Sequence, residues 1–112
     1  PIHTHLKEDE AYYLLDGAWE MYDVDNNETL TLGPDTYVYV PMGLNHGFKN
    51  ISDRPGRLVL LITPGGLEGF FEGIGQIIDD PQNPPPPPSG PPDFAKAAQV
   101  AAKYNITFIP PR

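Results

Sequence analysis

Apolar and polar residues follow a short period over the first sixty positions, and the period then lengthens. Ala11 to Leu15, Thr36 to Val40 and Arg57 to Thr63 are runs of aromatic and branched residues, each bounded by Gly, Pro, Asp or Asn. Such residues suit a pleated, half-buried surface, so the runs read as strands. Asp16-Gly17 and Asp25-Asn26-Asn27 read as the turns between them. Short strands with closely spaced turns predict an all-β barrel or sandwich over residues 1–63. Along strand 11–15, Glu10, Tyr12 and Leu14 share one parity and should point the same way. Pro64-Gly65-Gly66 ends the pattern. Leu67, Phe70, Phe71, Ile74, Ile77 and Ile78 then recur at helical spacing, which predicts a helical segment over 64–80 packed on the β-domain. The stretch 81–92 holds eight prolines and reads as an extended linker. Asp93 is a candidate N-cap for an alanine-rich helix from Phe94 to Tyr104, Asn105 a candidate end, and Ile106 to Ile109 a short strand or docking tail, which makes 93–112 a helix and tail.

Length limits this to one domain: 112 residues build a single modest core. The formal charge of −8 argues against a nucleic-acid partner, because phosphate binding needs a basic patch. The absence of cysteine excludes disulfides, cysteine-ligated zinc and thiol catalysis. No apolar run approaches the roughly 18 residues of a membrane-spanning helix. Three sequons, at Asn27, Asn50 and Asn105, are candidate glycosylation positions and point towards secretion, although the compartment itself is not written in the sequence.

The chemistry gathers around three histidines, His3, His5 and His46. One residue separates His3 from His5, so on a strand both imidazoles face the same way. Glu10 follows within a few residues, and His46 comes just after the Pro41-Met42-Gly43 turn. Three imidazoles and one carboxylate suit a divalent transition metal: Fe, Cu, Ni, Mn, Co or Zn.

The spacing is that of a known family. His3 to Gly17 reads His-x-His-x4-Glu-x6-Gly, and Pro41 to Asn50 reads Pro-x-Gly-x2-His-x3-Asn. These resemble the two cupin motifs. Thr63 to Phe71 and the segment from Ala101 to Pro111 are similar to the tails of small single-domain cupins, in particular the quercetin 2,3-dioxygenase-like group. The resemblance implies a cupin jelly-roll barrel, or double-stranded β-helix, followed by short C-terminal helices. It also implies that His3, His5, Glu10 and His46 bind one metal inside the barrel. Two departures stand out. Asp35 occupies a position where the family usually carries glycine, which suggests a changed turn at Gly33-Pro34-Asp35. The family's first motif normally follows several strands, yet here it begins at residue 3. The barrel is therefore expected to lack its N-terminal strands, leaving the His-x-His strand at a frayed edge unless a longer chain or a partner subunit supplies them. A homodimer through edge strands is expected for the same reason.

A site with three histidines and one glutamate leaves open metal positions, which is the signature of catalysis. The resemblance points to a dioxygenase acting on a phenolic or enol substrate, with Glu10 doubling as general base and Tyr12, Leu14, Tyr37, Tyr39 and Phe48 as candidate pocket residues. The alternatives are an isomerase, cyclase or lyase using the metal as a Lewis acid, and a metal- or ligand-binding protein without turnover. The arginines, Arg54, Arg57 and Arg112, all lie outside the motifs, which disfavours anionic substrates such as oxalate or sugar phosphates.

Overall fold

The computed structural model describes residues 1–110. The final two positions of the 93–112 segment lie outside the described residues. Eight strands and two helices follow one another as β1 (His3–His5), β2 (Asp9–Asp16), β3 (Trp19–Asp23), β4 (Glu28–Leu32), β5 (Tyr37–Val40), β6 (His46–Asn50), β7 (Arg57–Thr63), α1 (Glu68–Ile74), α2 (Phe94–Lys103) and β8 (Ile106–Phe108). The strands form two antiparallel sheets, one ordered β4-β3-β6-β1-β8 and the other β5-β2-β7. No helix among the described residues is long and apolar enough to cross a membrane.

The parity expected on β2 holds for its large side chains. Glu10, Tyr12 and Leu14 are buried and Tyr13 is partly exposed, while the small Ala11 is buried as well. Tyr12 and Leu14 meet Trp19 and Met21 of the opposing sheet and Val40 of β5, with Leu58 and Leu60 of β7 packed alongside. The turn after β2 places Gly17 at a φ of +95°, where a side chain would be strained, and the Trp19 indole Nε1 donates to the Asp16 carbonyl at 2.9 Å. Asp35 resolves the first departure from the family pattern. Its φ is +62°, so the turn keeps the left-handed conformation that favours glycine, and aspartate is one of the residues that tolerate it. The register of β2 with β5 is regular from Glu10↔Val40 to Tyr13↔Tyr37.

The second departure resolves differently from the expectation. Strand β1 is not at an edge. It lies between β6 and β8, and β8 comes from the far end of the sequence, pairing His3 with Phe108 and His5 with Ile106. The short apolar Ile106-Thr107-Phe108 run covers the backbone that would otherwise fray.

The helices build a second apolar cluster. Leu67, Phe70, Ala101 and Ile106 are buried together, with Ile62, Val100, Tyr104 and Phe108 against them. Helix α1 is shorter than the apolar spacing suggests. Gly75 caps it in extended backbone, and Ile77 and Ile78 fall beyond it, exposed. The Asp93 carboxylate accepts the Lys96 amide at 2.9 Å and caps α2, and Asn105 closes that helix with a φ of +57°. No regular element lies between Gly75 and Asp93.

Candidate metal centre

His3 and His5 leave β1 on the same side, and the antiparallel register sets His46 directly beside His3. Glu10 reaches the group from β2 in the other sheet, so the four side chains meet between the layers. Two turns hold the ligand-bearing strands in place. In the first, the Gly43 amide donates to the His5 carbonyl at 2.8 Å and the Met42 amide to the Asp9 carboxylate at 2.7 Å. Gly43 sits there at a φ of +87°. In the second, Asn45, immediately before His46, donates through its backbone and side-chain nitrogens to Asp25, at 2.9 and 2.6 Å.

The candidate ligand atoms of His3, His5, Glu10 and His46 all lie within 4.8 Å of one another. His5, Glu10 and His46 are almost fully buried and His3 is partly so. Two imidazoles have their tautomers fixed by carbonyl oxygens, which can only accept. Nδ1 of His46 donates to Leu44 at 2.9 Å and Nδ1 of His3 to Pro1 at 3.1 Å. That leaves Nε2 of each as the atom available to a ligand. His46 Nε2 lies 2.8 Å from Glu10 Oε2, and His5 Nε2 lies 3.2 Å from Glu10 Oε1. Tyr12 donates its hydroxyl to Glu10 Oε2 at 2.9 Å.

These contacts set the electrostatics. Burial by itself would raise the Glu10 carboxyl, but its close contacts with the His46 and His5 imidazoles and the hydrogen bond from Tyr12 outweigh it and hold the group below the usual carboxylate range. Burial, with His46 nearby, lowers His3 to about 4. Burial, together with the Glu10 charge, raises the Tyr12 phenol, so it remains a donor. His5 Nε2 is buried without a hydrogen-bond partner although it points at the cluster. A buried nitrogen lone pair without a donor is a cost unless a cation meets it. Three imidazole nitrogens, one of them orphaned, and one ionised carboxylate fit a divalent transition metal.

A family model described as a cupin domain matches residues 1–62. The chain belongs to the cupin family. The cupin match takes in all four clustered residues and ends before α1, α2 and β8. A stretch of 62 residues, 55% of the chain, is 32% identical to a Streptomyces cyaneus protein named polyketide synthase CurC. That stretch spans 39% of the length of this curated relative.

A cavity of about 340 Å³ opens onto this cupin's candidate metal site. His3, His5, Glu10 and Tyr12 form its floor, and Phe48, Leu60 and Phe108 its sides. Leu67, Phe70, Phe71 and Ile74 of the α1 region and Phe94 and Ala97 of α2 close it over. A larger open groove, about 840 Å³, runs along Ile2, Tyr22, Lys49 and Ile109 and contains none of the four clustered residues.

Of the five pocket residues expected from the sequence, Tyr12 and Phe48 line the cavity. Leu14 does not, because it is sealed in the core further along β2. Tyr37 and Tyr39 do not either. They are about 60% and 55% exposed on the outer face of the three-stranded sheet, since inward parity on β5 belongs to Val38 and Val40. Among the sequons, Asn27 is exposed in the turn before β4. Asn105 occupies the left-handed turn before β8, and Asn50 has its amide engaged with Arg54 and Ser52. The helical walls were not assigned to the site from the sequence. Their apolar spacing was visible, but nothing in it showed which surface the helices would cover.

Proposed function

We propose that this cupin is a metal-dependent oxygenase of the quercetin-dioxygenase-like kind, acting on a flat phenolic or enol substrate. The observation that carries the reading is the composition of the cavity. Its floor carries candidate metal ligands with an ionised carboxylate, and the rest of its wall is aromatic and aliphatic, with no lysine or arginine among the described residues. Such a site suits an uncharged, planar molecule with an acidic hydroxyl.

His3, His5, His46 and Glu10 would hold the ion. Once bound, the ion supplies Lewis-acid activation of a substrate oxygen and, if redox-active, a path to dioxygen. Glu10 is the natural base. Its Oε2 is engaged by Tyr12 and His46, so a substrate hydroxyl proton is best received at Oε1. Tyr12 orients that carboxylate from below. The phenylalanines and Ile74 exclude water and stack on a planar substrate.

A second reading has its own support. The relative's name ties that protein to polyketide synthesis, a chemistry of enolisable carbonyl compounds. A cyclase, isomerase or lyase would use the same Lewis acid and the same base without dioxygen. The outer face of the three-stranded sheet carries Tyr13, Tyr37, Tyr39, Val59 and Leu61 exposed together, which supports association as a homodimer.

The test is oxygen uptake by protein loaded in turn with Fe, Cu, Ni, Co, Mn and Zn, against a panel of catechols, flavonols and 1,3-diketones. Oxygen consumption matched to substrate loss, with a redox-active metal and absent in His46→Ala, is expected. Product formed without oxygen consumption would establish the second reading. A filled metal site with no turnover on any compound would leave a binding protein and overturn both.

A further inference from the structure

The three imidazoles of the metal group are not supported alike. His3 and His46 each pass their outer N–H to a backbone carbonyl, Pro1 and Leu44 respectively. His5 Nδ1 has no carbonyl in reach. It is buried and lacks any hydrogen-bond partner. Facing it at 3.8 Å is Glu8 Oε2, which is also buried and also unpartnered. Two complementary orphans, a ring nitrogen and a carboxylate oxygen, therefore stand opposite each other just beyond hydrogen-bond distance.

We infer that Glu8 is the positioning residue for His5, accepting its Nδ1–H when His5 Nε2 serves as a metal ligand. The inference rests on the metal reading of the cluster. A neutral imidazole that offers Nε2 to an ion must carry its proton on Nδ1, and a buried N–H requires an acceptor. Glu8 is the acceptor the fold provides, because it lies three residues after His5 in the turn that carries the chain from β1 to β2. Charge points the same way. A dication beside the carboxylates of Glu10 and Glu8 is balanced in charge, whereas without it Glu8 keeps one buried oxygen with no partner. From sequence alone, Glu8 reads as one more solvated acid beside Asp9.

The experiment measures zinc affinity by competition with a chromophoric chelator, on the natural sequence and on Glu8→Ala, Glu8→Gln and Glu28→Gln. It is paired with proton NMR of the histidine N–H signals in the zinc-loaded proteins. Loss of an outer acceptor of this kind costs roughly 10–100-fold in metal affinity. Glu8→Ala should show that loss, and the nearly isosteric Glu8→Gln, which keeps an oxygen but not the charge, should fall between it and the natural sequence. Glu28→Gln removes an exposed charge from β4 and should bind zinc unchanged, which separates the effect from net charge. The zinc-loaded protein should show slowly exchanging Nδ1–H signals from all three histidines, with the His5 signal lost or shifted in Glu8→Ala alone. Affinities within about twofold across the series, with the His5 signal unmoved, would overturn the role of Glu8 while leaving the metal site standing. Failure of the natural sequence to take up zinc at one ion per chain would remove the metal reading and this inference with it.

Discussion

The members of the candidate metal site are constrained by their neighbours. His46 sits at the centre, with Nδ1 held by Leu44 and Nε2 against Glu10. His46→Ala should reduce metal content from one ion per chain to below about a tenth at concentrations that fill the natural sequence, read by elemental analysis. In the proposed mechanism Glu10 has two roles, ligand and base. Glu10→Gln should therefore lower turnover by at least about 100-fold, more than it lowers metal loading, whereas equal losses would make it a ligand alone. The same residues make the metal-free protein sensitive to acid. Burial keeps His3 neutral in the folded state down to about 4, against an ordinary value of 6.5. Between those values the unfolded chain binds the proton and the folded one does not, so stability is full above the upper value and falls as the pH drops towards the lower. Glu10, held below the ordinary carboxylate range, extends the decline further into acid. Melting temperatures of metal-free protein should therefore fall between about pH 6.5 and 4. A His3→Gln variant should show a flatter curve there.

Among the elements, the helical pair is fitted by glycine. Gly69 and Gly73 share the face of α1 turned to α2. A Cβ on Gly69 would meet the Tyr104 ring, and one on Gly73 would stand 2.7 Å from Val100 Cγ1. With that face committed, Phe71 and Ile74, further round α1, reach the cavity alongside Phe70, which also packs on α2. Gly73→Ala gains up to about 1 kcal/mol of helix propensity but overpacks Val100 at a cost of about 1–3 kcal/mol. The single variant should be destabilised, and Val100→Ala in the same chain should recover much of the loss, a coupling that chemical denaturation would measure.

Across the whole molecule, the first and last strands converge on the candidate metal site. Strand β8 pairs with β1, α2 leads directly into β8, and α1 packs on α2, so the roof of the cavity and two of the candidate ligands form one connected unit. A divalent ion binding only the folded state should stabilise it by about 2.7 kcal/mol at a free concentration 100 times its dissociation constant. Thermal melting with metal and again after chelation would check this, with His46→Ala expected to show no difference between the two.

Sequence alone picked out the four residues of the candidate metal site and three of the eight strands among the described residues, β2, β5 and β7, with β8 read as a short strand or tail. The ligands fall at fixed spacings within two short motifs, and a strand's two-residue period settles which side chains share a face, so His3 with His5 and Glu10 with Tyr12 were legible. Local chemistry also named the Asp93 cap and the Asn105 turn. Only the tertiary structure decided what depends on contacts between distant segments. It placed β8 against β1 and so removed the expected frayed edge. It turned Tyr37 and Tyr39 to the outside, because parity on a strand does not say which parity faces the core. It brought Phe71 and Phe94 over the metal group from segments separated by a proline-rich stretch. It also set Glu8 against His5, where neither the pattern nor the charge of the sequence distinguished it from its neighbours, since burial is a property of the packed molecule.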